Sequence, residues 1–502
     1  MKKIIALFSF AISIHAYAQE PVFTIGSERS ISSLDNPEAI TFRIENNNYI
    51  LYSKFKMSEG MLLHLEGFSD PTDSYLCSED IRVPHLPNEI AIYEGFVALN
   101  NKMVLFRSVY NKEEKKCVLY AHELNQKGMI IDNAGTAIAS ITAEKAMNSG
   151  NFIIKASSDG KSFVVLSEYP FVKETKEKFA VTVFDNSLKQ IWNKEVELQY
   201  DSRRGPTNEP VLLNSGMIYV LKKVEGPKNA DFYSTYQIAD KGVKVKENVL
   251  EIEAPKKIVN YAYALDENTN DITIAGYYTE DGKVSVSFGG VNFKGTFISK
   301  ITGNNGEVSI HTTMPFDKTQ STLRVINVLN LKGNTCLLGE ERYENSVATE
   351  QKDEKGFPVY RKEFYADKIF VSVFDPTGKS ISSTVISKNN KSIEDGGISN
   401  SFAAAVVGEQ LMIVYNDYQY KNDGQEHKIV GPMLANVKIP VIQFIGADGS
   451  SGKKFALIDS NVGGKKGLVY LCPQIFIPVS NKEFFFLGKD SRFIYPLRMK
   501  LP

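Results

Sequence analysis

A short pattern recurs six times along this chain of 502 residues. Each copy has an apolar strand-like run, a turn containing Asp, Asn or Gly, and a second strand-like run. Asn, Asp and Gly accept the positive φ angles of tight turns between antiparallel strands, so each copy predicts a β-hairpin. Six copies predict a repeat architecture. They lie at residues 122–130, 183–191, 237–245, 300–308, 373–381 and 444–450.

A second pair of strand-like runs precedes these copies, most clearly at residues 152–156 and 163–167. The repeating unit is therefore four strands, which we name a, b, c and d. The first strands of eight such units begin near residues 39, 90, 152, 209, 258, 324, 400 and 473. The pattern predicts an all-β fold and a β-propeller of eight four-stranded blades, or seven if one unit is misassigned. Two or three separate β-sandwiches are the alternative.

The last unit has only three strands and ends with the run at 493–500, whereas the run at 22–26 has no other partner. We therefore predict that this N-terminal run pairs as the outer strand of the last blade and closes the ring, which removes an exposed sheet edge. The chain length, which corresponds to three or four domains at about 150 residues each, then describes one domain.

The first residues have the pattern of a secretory signal peptide. Lys2 and Lys3 precede an apolar run at 4–14, which is too short to span a bilayer, and Ala16 and Ala18 provide a small-residue cleavage site. We assign residues 1–18 to the signal peptide and residues 19–502 to a single propeller domain. No later run approaches the length of a membrane helix, so the sequence predicts an exported protein without a transmembrane segment.

The turn at Ser157-Ser158-Asp159-Gly160-Lys161, between the strands at 152–156 and 163–167, resembles the repeat signature of TolB-like secreted bacterial propellers. The mature chain is also similar to uncharacterised exported propellers of Gram-negative bacteria. The resemblance implies a propeller fold and a location in the periplasm or at the cell surface. It implies no catalytic residue.

Composition excludes several classes of function. The chain has 58 basic and 59 acidic residues, which gives no electrostatic indication of nucleic acid or an anionic membrane. H-E-x-x-H, G-x-S-x-G and P-loop motifs are absent from the sequence, and we predict no metal and no cofactor. The four cysteines, interpreted as free buried thiols in preference to disulfides, are Cys77, Cys117, Cys336 and Cys472.

Tyrosine recurs where strand b ends, and equivalent strand ends of a propeller lie on one face. Tyr rings have an apolar surface and a polar tip, which suits stacking on sugars or contact with a partner. The alternative is that Tyr packs between blades as an ordinary strand residue. The residues in question are Tyr52, Tyr110, Tyr169, Tyr278, Tyr343 and Tyr418.

Charged residues occupy the same strand ends: Glu168, Glu340, Glu341, Arg342 and Asp417. Two carboxylates roughly 5 to 10 Å apart can provide acid and base catalysis on a glycoside. Charged strand ends that are simply solvated are the other interpretation.

Three long connections, 281–294, 343–367 and 419–436, leave from the same side of their units. Long loops on a rigid scaffold often carry function, although surface loops also tolerate insertion. Our leading hypothesis is a non-catalytic exported propeller that binds a protein or glycan partner through this face. The alternatives are a carbohydrate-active enzyme, hydrolase or lyase, with carboxylates at the mouth, and a structural subunit of an envelope assembly.

Overall fold

The computed structural model describes residues 21–27, 29–30, 39–56, 60–70, 72–85, 89–224, 232–250, 252–253, 255–280, 291–417, 439–456, 470–490 and 493–502. The predicted signal peptide, Tyr418 and the connection 419–436 lie outside the described residues, as does most of the connection 281–294.

The described residues form eight antiparallel sheets, which we number in chain order. The short N-terminal strands are β1 (Val22–Ile25) and β2 (Arg29–Ser30). Sheet 1 contains β3 (Ile40–Ile44), β4 (Asn47–Lys56), β5 (Gly60–Ser69) and β6 (Ser74–Ile81). Sheet 2 contains β7 (Ala91–Ala98), β8 (Met103–Asn111), β9 (Lys116–Leu124) and β10 (Thr136–Thr142). Sheet 3 contains β11 (Asn151–Ala156), β12 (Ser162–Glu168), β13 (Lys176–Asp185) and β14 (Gln190–Asp201).

The next four sheets repeat this order. Sheet 4 contains β15 (Thr207–Leu212), β16 (Ile218–Val224), β17 (Phe232–Ala239) and β18 (Lys244–Leu250). Sheet 5 contains β19 (Lys257–Asp266), β20 (Asp271–Thr279), β21 (Phe293–Ile301) and β22 (Val308–Gln320). Sheet 6 contains β23 (Leu323–Leu331), β24 (Asn334–Lys352), β25 (Pro358–Phe374) and β26 (Ser380–Ile393). Sheet 7 contains β27 (Phe402–Val407), β28 (Gln410–Asp417), β29 (Ile439–Gly446) and β30 (Ser451–Ala456).

Sheet 8 joins the two ends of the chain. Its strands are β31 (Tyr470–Pro478), β32 (Glu483–Lys489) and β33 (Phe493–Lys500), and β1 pairs with β33 as the fourth strand. Val22 lies opposite Lys500 and Ile25 opposite Leu497, so the predicted pairing of the N-terminal strand is confirmed. The strands a of the eight sheets begin within three residues of their predicted positions.

Hydrophobic side chains fill the space between successive sheets. Of the eight buried clusters, seven are each shared by two consecutive sheets, from sheets 1 and 2 through sheets 7 and 8. The remaining cluster contains Ile50 and Phe68 of sheet 1 with Ile477 and Phe485 of sheet 8, so the first and last sheets are also neighbours. Sheets that pack face to face in this cyclic order are the arrangement of a β-propeller.

The sequence of each strand reflects its position in the sheet. Strands b and c are covered on both faces and have continuous apolar runs, as in β12, where every residue from Phe163 to Leu166 is buried. The outer strand β14 instead alternates, with Trp192, Val196 and Leu198 buried between exposed residues.

The recurring turns of the sequence are the c–d hairpins. Asp185 Oδ1 accepts hydrogen bonds from the backbone N–H of Ser187 (2.9 Å) and Lys189 (3.0 Å), and Asp375 is held by Thr377 and Lys379 in the same way. The hydroxyl of Ser187 also donates to Asp185, and these bonds lower the pKa of its carboxyl. The repeated Asp therefore stabilises the turn by bonding its own backbone.

The long connection predicted at 343–367 is a β-hairpin rather than a loop. β24 pairs with β25 from Thr335 opposite Phe374 out to Lys352 opposite Pro358. The sequence pattern missed it because residues 350–362 are exposed on both faces and therefore lack the apolar alternation of a half-buried strand.

The four cysteines are buried free thiols, as predicted. No helix among the described residues is long and apolar enough to cross a membrane.

Candidate functional site

The connections between strands b and c, and those between strand d and the next strand a, leave from one end of every antiparallel sheet. We call this end the b–c face. Of the charged residues singled out in the sequence, Glu168 and Asp417 lie here, since Glu168 ends β12 and Asp417 ends β28.

Three of the predicted tyrosines are half-buried at this face, each with its own partner. The hydroxyl of Tyr110 donates to the carbonyl of Ala143 (3.2 Å), and that of Tyr169 donates to Glu195 (2.9 Å).

Tyr343 stacks on Tyr365, with ring centroids 4.7 Å apart, and its hydroxyl donates to Asp367 Oδ2 at 3.0 Å. Burial and this carboxylate raise the pKa of Tyr343 to about 12. Tyr343 of β24 lies opposite Tyr365 of β25, two residues beyond the last residue of β24 that pairs with β23.

Two other tyrosines lie inside the protein. Tyr278 is 1% exposed, with Lys256 Nζ at 5.6 Å from its ring centroid. Tyr52 is buried against the His64 ring, at a centroid distance of 5.0 Å. Burial of this kind fits the packing alternative for these two positions.

Three of the four carboxylates at the strand ends, Glu168, Glu340 and Asp417, are buried rather than solvated. Glu168 accepts hydrogen bonds from Asn208 (2.6 Å) and Asn151 (3.3 Å), and its burial raises its pKa. Asp417 is buried and pairs with Lys454 at 2.7 Å. Packing against the neighbouring sheet, which cannot be inferred locally, removes these side chains from solvent.

Glu340 and Lys388 form an ion pair in which neither side chain is exposed, with Oε1 and Nζ 3.0 Å apart. Ser401 donates to the other oxygen of Glu340 at 2.8 Å, and Lys388 also donates to the carbonyl oxygens of Ala366 and Asn400. Burial lowers the pKa of Lys388, although Glu340 acts in the opposite direction.

The two charged neighbours of Glu340 are held as well. Lys368 pairs with Glu341 at 2.7 Å, and Arg342 donates to the carbonyl of Gly396 at 3.4 Å. Four pockets among the described residues have linings that contain none of the carboxylates Glu168, Glu340, Glu341 and Asp417.

The connection from sheet 6 to sheet 7, residues 394–401, reaches a third sheet. Asp395 pairs with Lys489 of sheet 8 at 3.0 Å, and Ile398 packs in the cluster shared by sheets 8 and 1. The Asn416 side chain bonds the backbone of Leu471 in sheet 8 through both its amide (2.8 Å) and its carbonyl (3.1 Å). Polar contacts thus join sheets 6, 7 and 8 at the b–c face.

The β24–β25 hairpin extends beyond this face. β23 pairs with β24 only as far as Glu341, and β26 pairs with β25 only as far as Glu363. In the described part of the chain, the hairpin beyond these residues is two-stranded. Phe357 and Tyr360, near its tip, are 64% and 63% exposed.

A pocket of about 280 Å³ lies between sheets 3 and 4 at the same face. It is formed by the end of β14, the connection to β15, the end of β16 and the start of β17. A second pocket, of about 460 Å³, lies on the other side of that connection and extends to Tyr169. Sequence reasoning selected Tyr169 but missed Arg203 and Arg204, although two adjacent arginines before Gly205-Pro206 in a connection between strands are a visible signal.

No sequence profile of a known family matches the chain, and no curated protein matches it. Among solved structures, the WD40 domain of SCAP from fission yeast is 8% identical, with a TM-score of 0.38 over 96% of this chain and 97% of that one. The β-propeller domain of the Trilobed protease from Pyrococcus furiosus is 10% identical, with a TM-score of 0.34 over 84% and 99%.

A protein of unknown function from Bacteroides caccae is 9% identical, with a TM-score of 0.29 over 68% of this chain and 94% of that one. At TM-scores below 0.5, these likenesses carry no argument about function. The class of this protein, an all-β propeller, follows from its own sheet topology.

Proposed function

We propose that the eight sheets are the eight blades of one propeller domain, residues 19–502, which is exported by means of the signal peptide 1–18 to the periplasm or surface of a Gram-negative cell. We propose further that it is a binding protein, without catalytic activity, whose b–c face holds a protein or glycan partner. The cyclic order of the buried clusters and the pairing of β1 with β33 support the blade count.

The observation that carries the binding proposal is the two-stranded end of the β24–β25 hairpin. A two-stranded hairpin in water is marginally stable on its own. This one also exposes two aromatic rings, Phe357 and Tyr360, which are residue types enriched in interfaces. The backbone of β24 beyond Arg342 forms an edge to which a partner strand can add. These features favour a protein over a glycan as the partner of the hairpin.

The half-buried rings of Tyr110, Tyr169 and Tyr343 contribute to the binding face in this proposal. The charged residues at the strand ends have a structural role in this proposal, because each contacts a partner within the protein and so holds its strand end in place. They are Glu168, Glu340, Arg342 and Asp417. Tyr278 has a similar supporting role.

The test is deletion of residues 346–358. Asn345 lies opposite Glu363 in the hairpin, so the deletion leaves these two residues joined by the four residues 359–362, which is a common hairpin length. We expect the deletion to leave the melting temperature unchanged. The intact chain should capture an envelope protein in stoichiometric amount by cross-linking, and should bind that protein after its purification. The deleted chain should do neither.

A paired variant separates the rings from the backbone edge. Phe357→Ser with Tyr360→Ser keeps the hairpin but removes both exposed rings, and we expect it to weaken binding of the purified partner. Val243→Ser, which alters an exposed apolar residue in a c–d turn on the opposite face, is the control and should bind normally. Equal capture by the intact and deleted chains would refute the role of the hairpin.

A further inference from the structure

A cleft of about 510 Å³ lies between the outer strands of sheets 2 and 3. One wall is the outer strand β10, where residues 137–140 line the cleft. The opposite wall belongs to sheet 3 and includes Ser167 of β12, Thr182 of β13 and Asn193 of β14. The cleft is thus formed by two sheets whose inner strands pack together.

Two hydroxyl groups in the wall of sheet 3 can still form hydrogen bonds. Ser167 is 5% exposed, and among the described residues no protein group bonds its hydroxyl. Thr182, also 5% exposed, accepts a hydrogen bond from the amide of Asn193 at 2.7 Å, which leaves its own proton to donate. A buried polar group without a partner lowers stability unless water or a ligand bonds it. These hydroxyls therefore indicate a ligand that forms hydrogen bonds.

The polar groups of this wall follow the strands of sheet 3 as a row. In the register of the sheet, the level of Ser167 is two residues along β13 from the level that Thr182 shares with Asn193. Residues two apart on a strand are separated by about 7 Å and face the same way. Gln190 lines the cleft at one end of the row, and Tyr169 lines it at the other. A row of this kind suits an extended oligomer.

The lining of the cleft has no net charge. Two of its residues are charged, Glu114 and Lys116, and they have opposite charges 3.9 Å apart. The other lining residues are uncharged, and most of them have hydroxyl, amide or small apolar side chains. This composition favours a neutral ligand over an ionic one.

The aromatic ring and the small side chains favour a sugar chain over a peptide. Tyr169 is half-buried and lines both this cleft and the 460 Å³ pocket, and its hydroxyl is held by Glu195 at 2.9 Å. The apolar face of a sugar ring packs well on such a ring. A peptide that adds to a sheet edge instead needs pockets for alternate side chains, whereas the walls here have small residues such as Ala139 and Ala180.

We propose that the cleft between sheets 2 and 3 binds an extended neutral oligosaccharide. The side chains of Ser167, Asn193 and Gln190 bond the sugar hydroxyls, and one sugar ring packs on Tyr169. A β-1,4-linked glucan is such a ligand, because its chain is straight and carries hydroxyl groups along both edges. The cleft is separate from the β24–β25 hairpin, so the inference goes beyond the proposed protein partner and does not depend on it.

Titration calorimetry of the mature chain with cellotetraose tests the proposal. We expect binding that changes little as salt is added, because no ionic contact is involved. Gln190→Ala with Asn193→Ala should weaken binding by about tenfold or more, since two hydrogen-bonding side chains are lost. The matched control is Asn330→Ala with Gln410→Ala, which removes the same two residue types from exposed strand positions in sheets 6 and 7. It should bind as the wild type does.

Ser167→Ala tests the buried hydroxyl by itself. Since no protein group among the described residues bonds this hydroxyl, we expect its removal to leave the melting temperature unchanged. Binding of cellotetraose should weaken by about threefold or more. Wild-type affinity in this variant would refute the role of Ser167.

Two further ligands distinguish the possible occupants. Tetragalacturonate, an acidic tetrasaccharide, should bind at least about tenfold more weakly than cellotetraose, and equal or tighter binding would overturn the neutral assignment. Tighter binding of a hexaserine peptide than of cellotetraose would show that a peptide is the ligand and would overturn the proposal. Absence of cellotetraose binding at millimolar concentration, by a folded chain, would overturn it too. The hairpin deletion should leave cellotetraose binding intact, so the two proposals fail separately.

Discussion

Arg498 forms a two-point ion pair with Asp73, which lies 425 residues earlier in the chain. Its Nε and Nη2 donate to the two carboxylate oxygens at 2.9 and 2.7 Å. Nη1 lies 2.6 Å from Asp70 Oδ1, and all three side chains are largely buried. Since Arg498 belongs to β33 and the two aspartates to the β5–β6 turn, this cluster joins the last sheet to the first.

We expect Arg498→Met to destabilise the protein by about 3–5 kcal/mol, because it leaves a buried carboxylate without its counter-charge. Lys500→Met, on the same strand, is the control. Lys500 is about half exposed and pairs with Glu483, so its loss should cost no more than about 1 kcal/mol. Urea denaturation of both variants measures the difference, and equal midpoints for the two would refute this role of Arg498.

The buried pair Glu340–Lys388 gives a second prediction. Lys388→Met should lower the free energy of unfolding by about 3–5 kcal/mol, because Glu340 then remains charged and unpaired in the interior. Glu340→Gln added to Lys388→Met removes that charge and should recover part of the loss. A double variant no more stable than Lys388→Met alone would show that the charge of Glu340 is not the cause.

His64 should make stability depend on pH. Burial lowers its pKa, but hydrogen bonds with Glu66 (3.3 Å) and Asp80 (2.5 Å) outweigh burial and raise the pKa above 6.5. The native state therefore holds the proton more tightly than the unfolded state. The contribution of the charged ring is complete below pH 6.5 and is lost as the pH rises through the native pKa.

Unfolding measurements on the wild type and His64→Gln from about pH 5 to about pH 9 test this. The stability advantage of the wild type should shrink as the pH rises. A pH-independent advantage of the wild type over His64→Gln would contradict the raised pKa of His64.

His122 provides the opposite case, because burial lowers its pKa. Its contribution to stability should therefore be lost as the pH falls below 6.5.

Two glycines with nearly the same φ separate backbone strain from contact. Gly378 (φ 83°) and Gly216 (φ 84°) both occupy turns, and the positive φ alone should make alanine cost about 1–2 kcal/mol at either position. A Cβ at Gly378 would lie 2.5 Å from Ile310, whereas nothing lies within 4 Å of one at Gly216. Thermal unfolding should show the larger loss for Gly378→Ala, and the reverse order would refute the close contact.

The strand order could be predicted from the sequence because its signals are local. Asp185 and Asp375 bond backbone groups two and four residues further on, so their turns depend on a few adjacent residues. The continuous apolar run of β12 likewise marks a strand covered on both faces. These signals located the first strand of each sheet.

The side-chain environments at the b–c face could not be predicted in this way. Glu340 at a strand end suggested a solvated carboxylate, but it pairs with Lys388, which is 48 residues further along the chain and buried by the packing of the next sheet. The pocket between sheets 3 and 4 depends on the same kind of packing, since Arg204 lies in the connection from β14 to β15 and Lys222 lies in β16. Only the cyclic assembly of the sheets brings such residues together.

The antiparallel pairing of β1 with β33 also determines how the molecule resists mechanical force. Val22 lies opposite Lys500, so the outer ends of the two strands emerge side by side at the same end of the ladder. Tension applied through these two residues loads one hydrogen-bonded pair at a time and peels the strands apart, instead of shearing all the pairs at once. The seam that joins the last sheet to the N-terminal strand is thus the point at which a pulled molecule opens first.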